Sequence, residues 1–355
     1  MVIINEEDHR RVYGVSRSTK RRLLEKCQKL KPTITLVHFQ EFLKFIVSNQ
    51  SMVTLSETTN YSRKTVGNHI WSVASALYLI SVKSLGKDNQ NRYQLNKIDT
   101  PLGGFAAVAI DGTACPIKNP LNKHDKKEYY SYKHKNHCYK YIVGVGLRTG
   151  LAVFLYGPKA GRYHDITLFR ESNLVNRLDA EERFIGDKGF QSNELESKIL
   201  TPIKGDLLSS EDRMYNYVIN SNRVIVENYF GRLKRFKILS TPFRAPRLKH
   251  KTVFTICVYL TNLDIKEKPL HVDLLKSTNE YSGHNEDLES DSEISDMDIS
   301  DDESVTSGES LSSEEDEEDD EDDEDDEDED VEDDEDDDED DSYASDETLY
   351  STDDE

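Results

Sequence analysis

Three acidic residues of this 355-residue sequence occupy positions from which carboxylates can hold a metal ion. The run FAAVAIDGTACPI (105–117) passes from apolar residues to Asp111, and the run RFIGD likewise ends in Asp187. Such short apolar runs predict buried strands, so each acid is expected at the end of a strand. Glu227 lies on a helix predicted from about 222 to 236. Hard divalent cations prefer oxygen ligands. Three acids that meet at one end of a sheet would therefore supply a two-metal site for phosphoryl transfer.

A fourth acid and two cations can assist these three residues. Asp165 follows the glycine-containing loop GPKAGRY and opens a predicted short helix. Its alternative role is that of a helix N-cap, and Asp187 can equally be a turn residue. Arg223 precedes Glu227 by four residues and Lys234 follows it by seven, so all three share one helix face. This column predicts that Arg223 and Lys234 bind a substrate phosphate.

The elements that must position the acids indicate a mixed α/β domain over residues 103–268. KYIVGVGL and LAVFLY predict a β-hairpin whose turn contains Gly150. The strands that end in Asp111 and Asp187 would join the same sheet, and ILTPIKG is predicted to lead out of it. Helical segments between the later strands are typical of a mixed sheet with helices packed on it.

Residues 1–98 predict an all-α region. VHFQEFLKFIV places its apolar residues on one helical face. TLSETTNYSRKTVGNHIW then predicts a short helix, a turn and a second helix that begins after Ser62, a favourable N-cap. This helix-turn-helix, at about 37–80, would present Arg63 and Lys64 to the major groove of DNA. A plain helical hairpin is the alternative.

Charge divides the chain at about residue 280. All 45 Lys and Arg lie in residues 1–280, which hold 27 of the 70 Asp and Glu. Residues 281–355 hold the other 43 acids, so the two parts carry formal charges of +18 and −43. A body this basic favours polyanionic partners such as DNA. The acidic part lacks the apolar residues of a core and is predicted to be a disordered tail.

The segment YYSYKHKNHCYKY (129–141) interleaves five tyrosines with Lys and His. Lys133 and Lys135 are predicted to contact nucleic-acid phosphates, with the tyrosine rings against sugars or bases. The alternative is an amphipathic strand with a basic face. The four cysteines lack CxxC spacing, and the sequence has no signal-peptide core or membrane span. We therefore expect a soluble intracellular protein that does not associate with membranes.

A series of motifs resembles the DDE-type transposase domain of the Harbinger and insertion-sequence-5 group. In chain order the motifs are IDGTACPI, YYSYKHKNH, YIVGVGL, HDITLF, IGDKGF, TPIKG and NRVIVENYFGRLKRF. The resemblance covers roughly residues 105–262. It implies a ribonuclease-H-like mixed sheet with flanking helices and catalytic acids at Asp111, Asp187 and Glu227. It also implies a supporting metal-binding role for Asp165 and Mg²⁺ or Mn²⁺ as the cofactor.

The sequence departs from this family pattern at positions that are not proposed ligands. Arg162 and Tyr163 stand before His-Asp, where the family often has a small pair. Asn220 stands where the related insertion-sequence signature has tyrosine, and Phe190 where tyrosine is common. These differences affect substrate positioning more than the chemistry of the acids.

Together these features predict a Harbinger-like transposase, or a domesticated descendant, that cleaves DNA by metal-dependent hydrolysis, with or without strand transfer. The expected partners are DNA, a second copy of the chain, a separate DNA-binding protein, and histones through the acidic tail. In a eukaryote we expect the protein in the nucleus. The first alternative is a DNA- or chromatin-binding protein that has lost catalysis. The second is a histone-binding protein that acts through its tail.

Overall fold

The computed structural model describes residues 5–270 apart from positions 102, 180, 196 and 206. The predicted acidic tail at 281–355 lies outside the described residues. Within the part described, no helix combines the length and the apolar character needed to cross a membrane.

Six helices precede the sheet, and they confirm the predicted all-α character of the N-terminal region. They are α1 (Glu6–Tyr13), α2 (Arg17–Leu30), α3 (Leu36–Ser48), α4 (Met52–Thr59), α5 (Arg63–Gln90) and α6 (Arg92–Asn96).

The predicted turn between two helices is present at residues 60–62. Helix α4 ends before Asn60, which adopts the left-handed conformation (φ 57°) that asparagine tolerates. Ser62 caps α5 as predicted, because its side chain accepts a hydrogen bond from the Thr65 N–H at 3.1 Å. The apolar face of α5 is buried at Val66 and at the helical repeats that follow it. Recognition of DNA by this helix pair stays a prediction.

A mixed sheet follows, and its strands and helices alternate along the chain. The strands are β1 (Ile98–Asp99), β2 (Phe105–Pro116), β3 (Tyr130–Ser131), β4 (Asn136–Gly146), β5 (Ala152–Ala160), β6 (Glu182–Ile185) and β7 (Ile199–Leu200). The helices are α7 (Lys123–Tyr129), α8 (Asp165–Glu171), α9 (Ser210–Leu233) and α10 (His250–Glu267).

The sheet combines an antiparallel half with a parallel half. Strand β4 lies between β5 and β2 and is antiparallel to both, which confirms the predicted hairpin. Strand β2 is parallel to β6, and β6 is parallel to β7. This arrangement, with helices on both faces, confirms the predicted mixed α/β class.

Three predicted boundaries differ from the structure. Strand β2 does not end at Asp111 but continues to Pro116, because its polar second half still pairs with β4. ILTPIKG does not lead straight out of the sheet, since its first two residues form β7 beside β6. Helix α9 starts at Ser210, twelve residues before the predicted start, where Ser209 and Asp212 form a capping box.

Buried side chains form a cluster on each face of the sheet. The larger cluster joins β2 and β4 to α9 and α10 and includes residues of the N-terminal helices, among them Phe39 and Leu77. The smaller cluster places Leu168 and Phe169 of α8 against the opposite face. Both faces of β2 are therefore covered, and only its polar second half can reach a site at the rim of the sheet.

Candidate active site

Asp111 lies in the middle of the central strand β2, where the strand changes from apolar to polar residues. The six residues before it are buried, and Asp111 itself is partly buried. Its Oδ1 accepts a hydrogen bond from the backbone N–H of Gly112 at 2.7 Å. This contact fixes the carboxylate beside its own backbone.

Asp187 lies beside Asp111 because their strands run in parallel. Ala109 of β2 is paired with Ile185 of β6. Asp111 and Asp187 each follow this pair by two residues, so they stand at the same level of the sheet, Asp111 within β2 and Asp187 just after the end of β6. The Asp187 side chain makes no cap hydrogen bond to the short 3-10 helix that follows it and is half exposed. The turn alternative therefore does not account for its carboxylate.

Asp165 lies over the backbone of β2 next to Asp111. An ideal Cβ on Gly112 would lie 2.6 Å from Cγ of Asp165, so the carboxyl group occupies space that only glycine leaves open. Asp165 is the first residue of α8, while His164 holds the N-cap position. The N-cap alternative for Asp165 is therefore wrong. Lys140 of β4 lies 3.4 Å from Asp165 Oδ1 and donates to the Tyr163 carbonyl at 2.7 Å.

Arg223 connects Glu227 to the two strands. Its Nη1 lies 2.7 Å from Glu227 Oε1 and 4.0 Å from Asp187 Oδ1. Its Nε is buried and has no hydrogen-bond partner. In the structure the Arg223 guanidinium pairs with two of the predicted catalytic acids, and its predicted contact with a substrate phosphate stays a prediction.

The pKa of Asp111 reflects its burial and the charges around it. Burial raises this pKa from its usual 3.8 to about 6, and the negative charges of Asp165 and Asp187 add to the rise. The Gly112 N–H and the positive charge of Arg223 oppose it. Asp111 is therefore an acid that the fold holds in an unfavourable place, which is typical of functional sites.

These four acids have the donor chemistry that a hard divalent cation requires. All of them offer carboxylate oxygens, and the strand leaves room for Asp165 where a Cβ would stand. Asp165 at the start of α8 and Asp187 after β6 lie around Asp111, and Glu227 joins these three acids through Arg223. The residues present fit a divalent metal in donor type, although no three of these four acids bring ligand atoms within 4.8 Å of one another in the structure.

A different trio has its ligand atoms closer together. Among the described residues, His124, Asp125 and Glu128 are the group of three or more metal-binding side chains whose ligand atoms lie within 4.8 Å of one another. Arg247 already pairs with Asp125 at 2.7 Å, and Arg162 lies 3.8 Å from Glu128. Arginine side chains therefore balance this surface trio, and no motif in the sequence predicted it.

The remaining predicted phosphate contacts are Lys234 and four exposed cations. Lys234 donates to the backbone carbonyls of Ala114 and Leu239, which makes it a link between α9 and β2 rather than a free phosphate ligand. Lys133 and Lys135 are exposed in the turn between β3 and β4. Arg63 and Lys64 are exposed at the start of α5.

Sequence reasoning missed two residues that shape the site. Gly112 provides the space for Asp165, and Lys140 is buried (6 % exposed) beside the same carboxylate. A lysine next to the apolar run YIVGVGL was a usable signal, because a buried lysine needs a carboxylate or carbonyl partner. The role of Gly112 depends on a contact with a residue 53 positions away and has no local signal.

Comparison with known proteins supports the same region of the chain. Residues 110–262 match the family model of the DDE superfamily endonuclease. The chain is also similar to a probable transposase for insertion sequence element IS702 from Microchaete diplosiphon, with 34 % identity over 141 residues. The match covers 39 % of this chain and 49 % of the relative, so the chain spans about half the length of this curated relative. No solved structure matches the chain significantly. The resemblance predicted from the motifs is confirmed at the level of the DDE superfamily endonuclease domain.

Proposed function

We propose that residues 103–268 form a Harbinger-like DDE endonuclease domain that hydrolyses DNA phosphodiester bonds with Mg²⁺ or Mn²⁺. The observation that carries the proposal is the placement of Asp165 and Asp187 around the partly buried Asp111. A protein gains no stability from carboxylates that repel one another in a partly buried place. This arrangement is typical of acids that are held ready for a cation.

The order of the strands supports the ribonuclease-H-like part of the proposal. Strands β5, β4 and β2 form the antiparallel half, and β6 and β7 extend it in parallel with β2. The acids lie on the central strand β2, after its parallel neighbour β6, and on helix α9, which packs on the sheet. This is the arrangement that the family resemblance implies.

The side chains of the site have separate roles in the proposed reaction. Asp111, Asp187 and Glu227 would hold the metal, and Asp165 would support it. The bound metal would activate water or a 3′-hydroxyl and stabilise the leaving oxygen. Lys140 holds Asp165 by charge and fixes itself to the Tyr163 carbonyl.

Arg223 keeps Glu227 and Asp187 together in the absence of another cation. Its second proposed role is to contact the scissile phosphate, because a guanidinium suits phosphate oxygens. The exposed cations Arg63, Lys64, Lys133 and Lys135 are the proposed contacts to the rest of the DNA. In a eukaryotic cell the reaction would take place in the nucleus.

One observation favours a second function, that of a DNA-binding protein without catalysis. Arg223 lies between two of the acids, at a place where a cation would otherwise balance their charge. If Arg223 is the permanent counterion of these acids, the domain keeps its fold and its basic surface but holds no metal.

A calorimetric titration of Mn²⁺ into residues 1–280 separates the two functions. The tail is removed because its 43 acids would bind cations by themselves. We expect saturable binding that Asp187→Asn weakens by at least about tenfold, in line with the loss of a metal ligand. Asp99→Asn, an exposed acid in β1, is the matched control and should bind as the parent does. Identical, non-saturating heats in all three proteins would favour the binding function.

A further inference from the structure

A second basic site lies on the far side of α9 from the acids. A cavity of about 440 Å³ opens between α1, the end of α3 and the end of α9. Arg232 lines this cavity and follows Arg223 by nine residues, so the two side chains leave the helix on opposite sides. The cations that line the cavity are Arg10, Arg11, Arg232, Arg235 and Lys237.

The positive charge of this cavity exceeds the negative charge that faces it. Its lining contains two acids, Glu7 and Asp264, against five cations. Arg232 Nη1 lies 2.7 Å and Arg235 Nη1 lies 3.7 Å from Asp264 Oδ2. Arg10 pairs with the other oxygen of the same carboxylate. Three guanidinium groups thus surround one nearly buried carboxylate. Glu267 also pairs with Arg10, and Asp8 lies 3.6 Å from Arg11, so with these two acids counted one positive charge remains in excess and favours a further anion.

Arg10 has a hydrogen-bond donor that the protein does not use. Its side chain is 9 % exposed, and its two terminal nitrogens bind Asp264 and Glu267. Its Nε is buried and has no partner. A buried donor without a partner is unfavourable, and it leaves the positive charge of a guanidinium that lines the cavity incompletely compensated.

A structural ion-pair network that ties α1 to α9 and α10 would explain part of these contacts. It explains the bonds of Arg10 to Asp264 and Glu267. It does not explain the open volume, the excess of cations, or the exposure of Arg11 and Arg235, whose side chains are 77 % and 57 % exposed. These features fit an anion that enters from outside.

We propose that this cavity, the α1–α9 pocket, binds a phosphate group. Arginine is the residue best suited to phosphate, because its planar group donates two parallel hydrogen bonds. The exposed Arg11 and Arg235 can reach a ligand much larger than the cavity. A backbone phosphate of duplex DNA is the source we infer, and this choice of source rests on the proposed function. The proposal that the pocket binds a phosphate group does not rest on that function.

The first experiment measures DNA binding by the full-length chain in EDTA, so that cleavage plays no part. The affinity for a labelled duplex is followed by fluorescence anisotropy over a range of NaCl concentrations. The test variant is Arg11→Gln with Arg235→Gln, which leaves the buried Arg10 in place. The matched control is Arg21→Gln with Lys29→Gln, which removes two exposed charges from α2.

The second experiment measures the thermal unfolding temperature of the same proteins with and without pyrophosphate at constant ionic strength. A phosphate ligand that binds the folded state raises this temperature. We expect pyrophosphate to stabilise the parent and the control more than the test variant.

In the first experiment, we expect the slope of log affinity against log salt to fall by about 1 in the test variant, as for the loss of one phosphate contact, with a smaller change in the control.

The combination of results identifies the source of the phosphate. A loss of slope supports DNA as the ligand. A loss of pyrophosphate stabilisation without a loss of slope supports the phosphate site with a smaller phosphorylated ligand. If the test variant matches the control in both experiments, the proposal is wrong. Neither experiment involves cleavage, so failure of the proposed endonuclease activity would leave these results unchanged.

Discussion

Replacing Asp111 by asparagine should stabilise the protein, and the gain should depend on pH. The pKa of Asp111 rises from its usual 3.8 to about 6 in the folded state, with burial as the largest cause. Between these two pH values the folded protein keeps a proton that the unfolded chain has released. The free energy of unfolding therefore falls as the pH rises through this range, and it stays lowered above it.

The size of this effect follows from the pKa values. At about 1.4 kcal/mol per pKa unit, the ionised Asp111 lowers the free energy of unfolding by about 3 kcal/mol at pH 8. Asparagine is nearly the same size, and its Oδ1 can still accept the hydrogen bond from the Gly112 N–H. Asp111→Asn should therefore recover most of this free energy at pH 8 and almost none at pH 4.

Urea unfolding followed by circular dichroism between about pH 4 and pH 8, in EDTA, measures this difference. The acidic tail titrates equally in both proteins and cancels from the comparison. Asp99→Asn, at an exposed position, should change the free energy of unfolding by less than about 0.5 kcal/mol. A variant that is no more stable than the parent at pH 8, or whose gain is the same at pH 4, would refute the idea that the fold holds Asp111 against its own preference.

Three further predictions concern Lys234, Gly112 and the acidic tail. Lys234→Met should lower the free energy of unfolding by about 2 kcal/mol in urea, because two backbone carbonyls lose their donor. A weaker salt dependence of DNA binding with unchanged stability would instead return Lys234 to phosphate binding. Gly112→Ala should weaken Mn²⁺ binding about tenfold in calorimetry, since its Cβ would displace the carboxylate of Asp165. Unchanged Mn²⁺ binding would contradict the conclusion that the Asp165 carboxylate occupies the space beside Gly112. Deleting 281–355 changes the formal net charge from −25 to +18, so DNA affinity in anisotropy titrations should rise and its salt dependence should steepen. Equal affinities at low salt would exclude an effect of the tail's charge.

Local patterns predicted the elements of the fold well. The Ser62 cap, the buried face of α5 and the hairpin of β4 and β5 each depend on residues close together in the chain. The end of β2 was harder, because its polar second half lacks the apolar signature of a strand. Pairing with β4 keeps these residues extended, and such pairing is a tertiary contact that no short window contains.

The candidate site divides in the same way. The positions of Asp111 and Asp187 followed from strands and from the family resemblance, and the parallel pairing of β2 and β6 brings them together. The sequence did not predict which groups the long, flexible side chains of Arg223 and Lys234 contact. Helical spacing placed Arg223 and Lys234 in one column, yet one binds acids and the other binds backbone carbonyls beyond the end of α9. The α1–α9 pocket joins residues more than two hundred positions apart, which no motif describes.

The turn between α1 and α2 shows why the N-terminal helices and the α/β region depend on each other. Gly14 has φ +73°, and an ideal Cβ there would lie 2.5 Å from the ring of Phe236, just beyond α9. The Phe236 ring therefore packs directly against the backbone of Gly14. One apolar cluster contains residues of the N-terminal helices and of the α/β region. A gene fragment that encodes the α/β region alone would leave this ring uncovered. The N-terminal helices and the α/β region can be expected to be inherited, expressed and exchanged as one piece rather than as interchangeable modules.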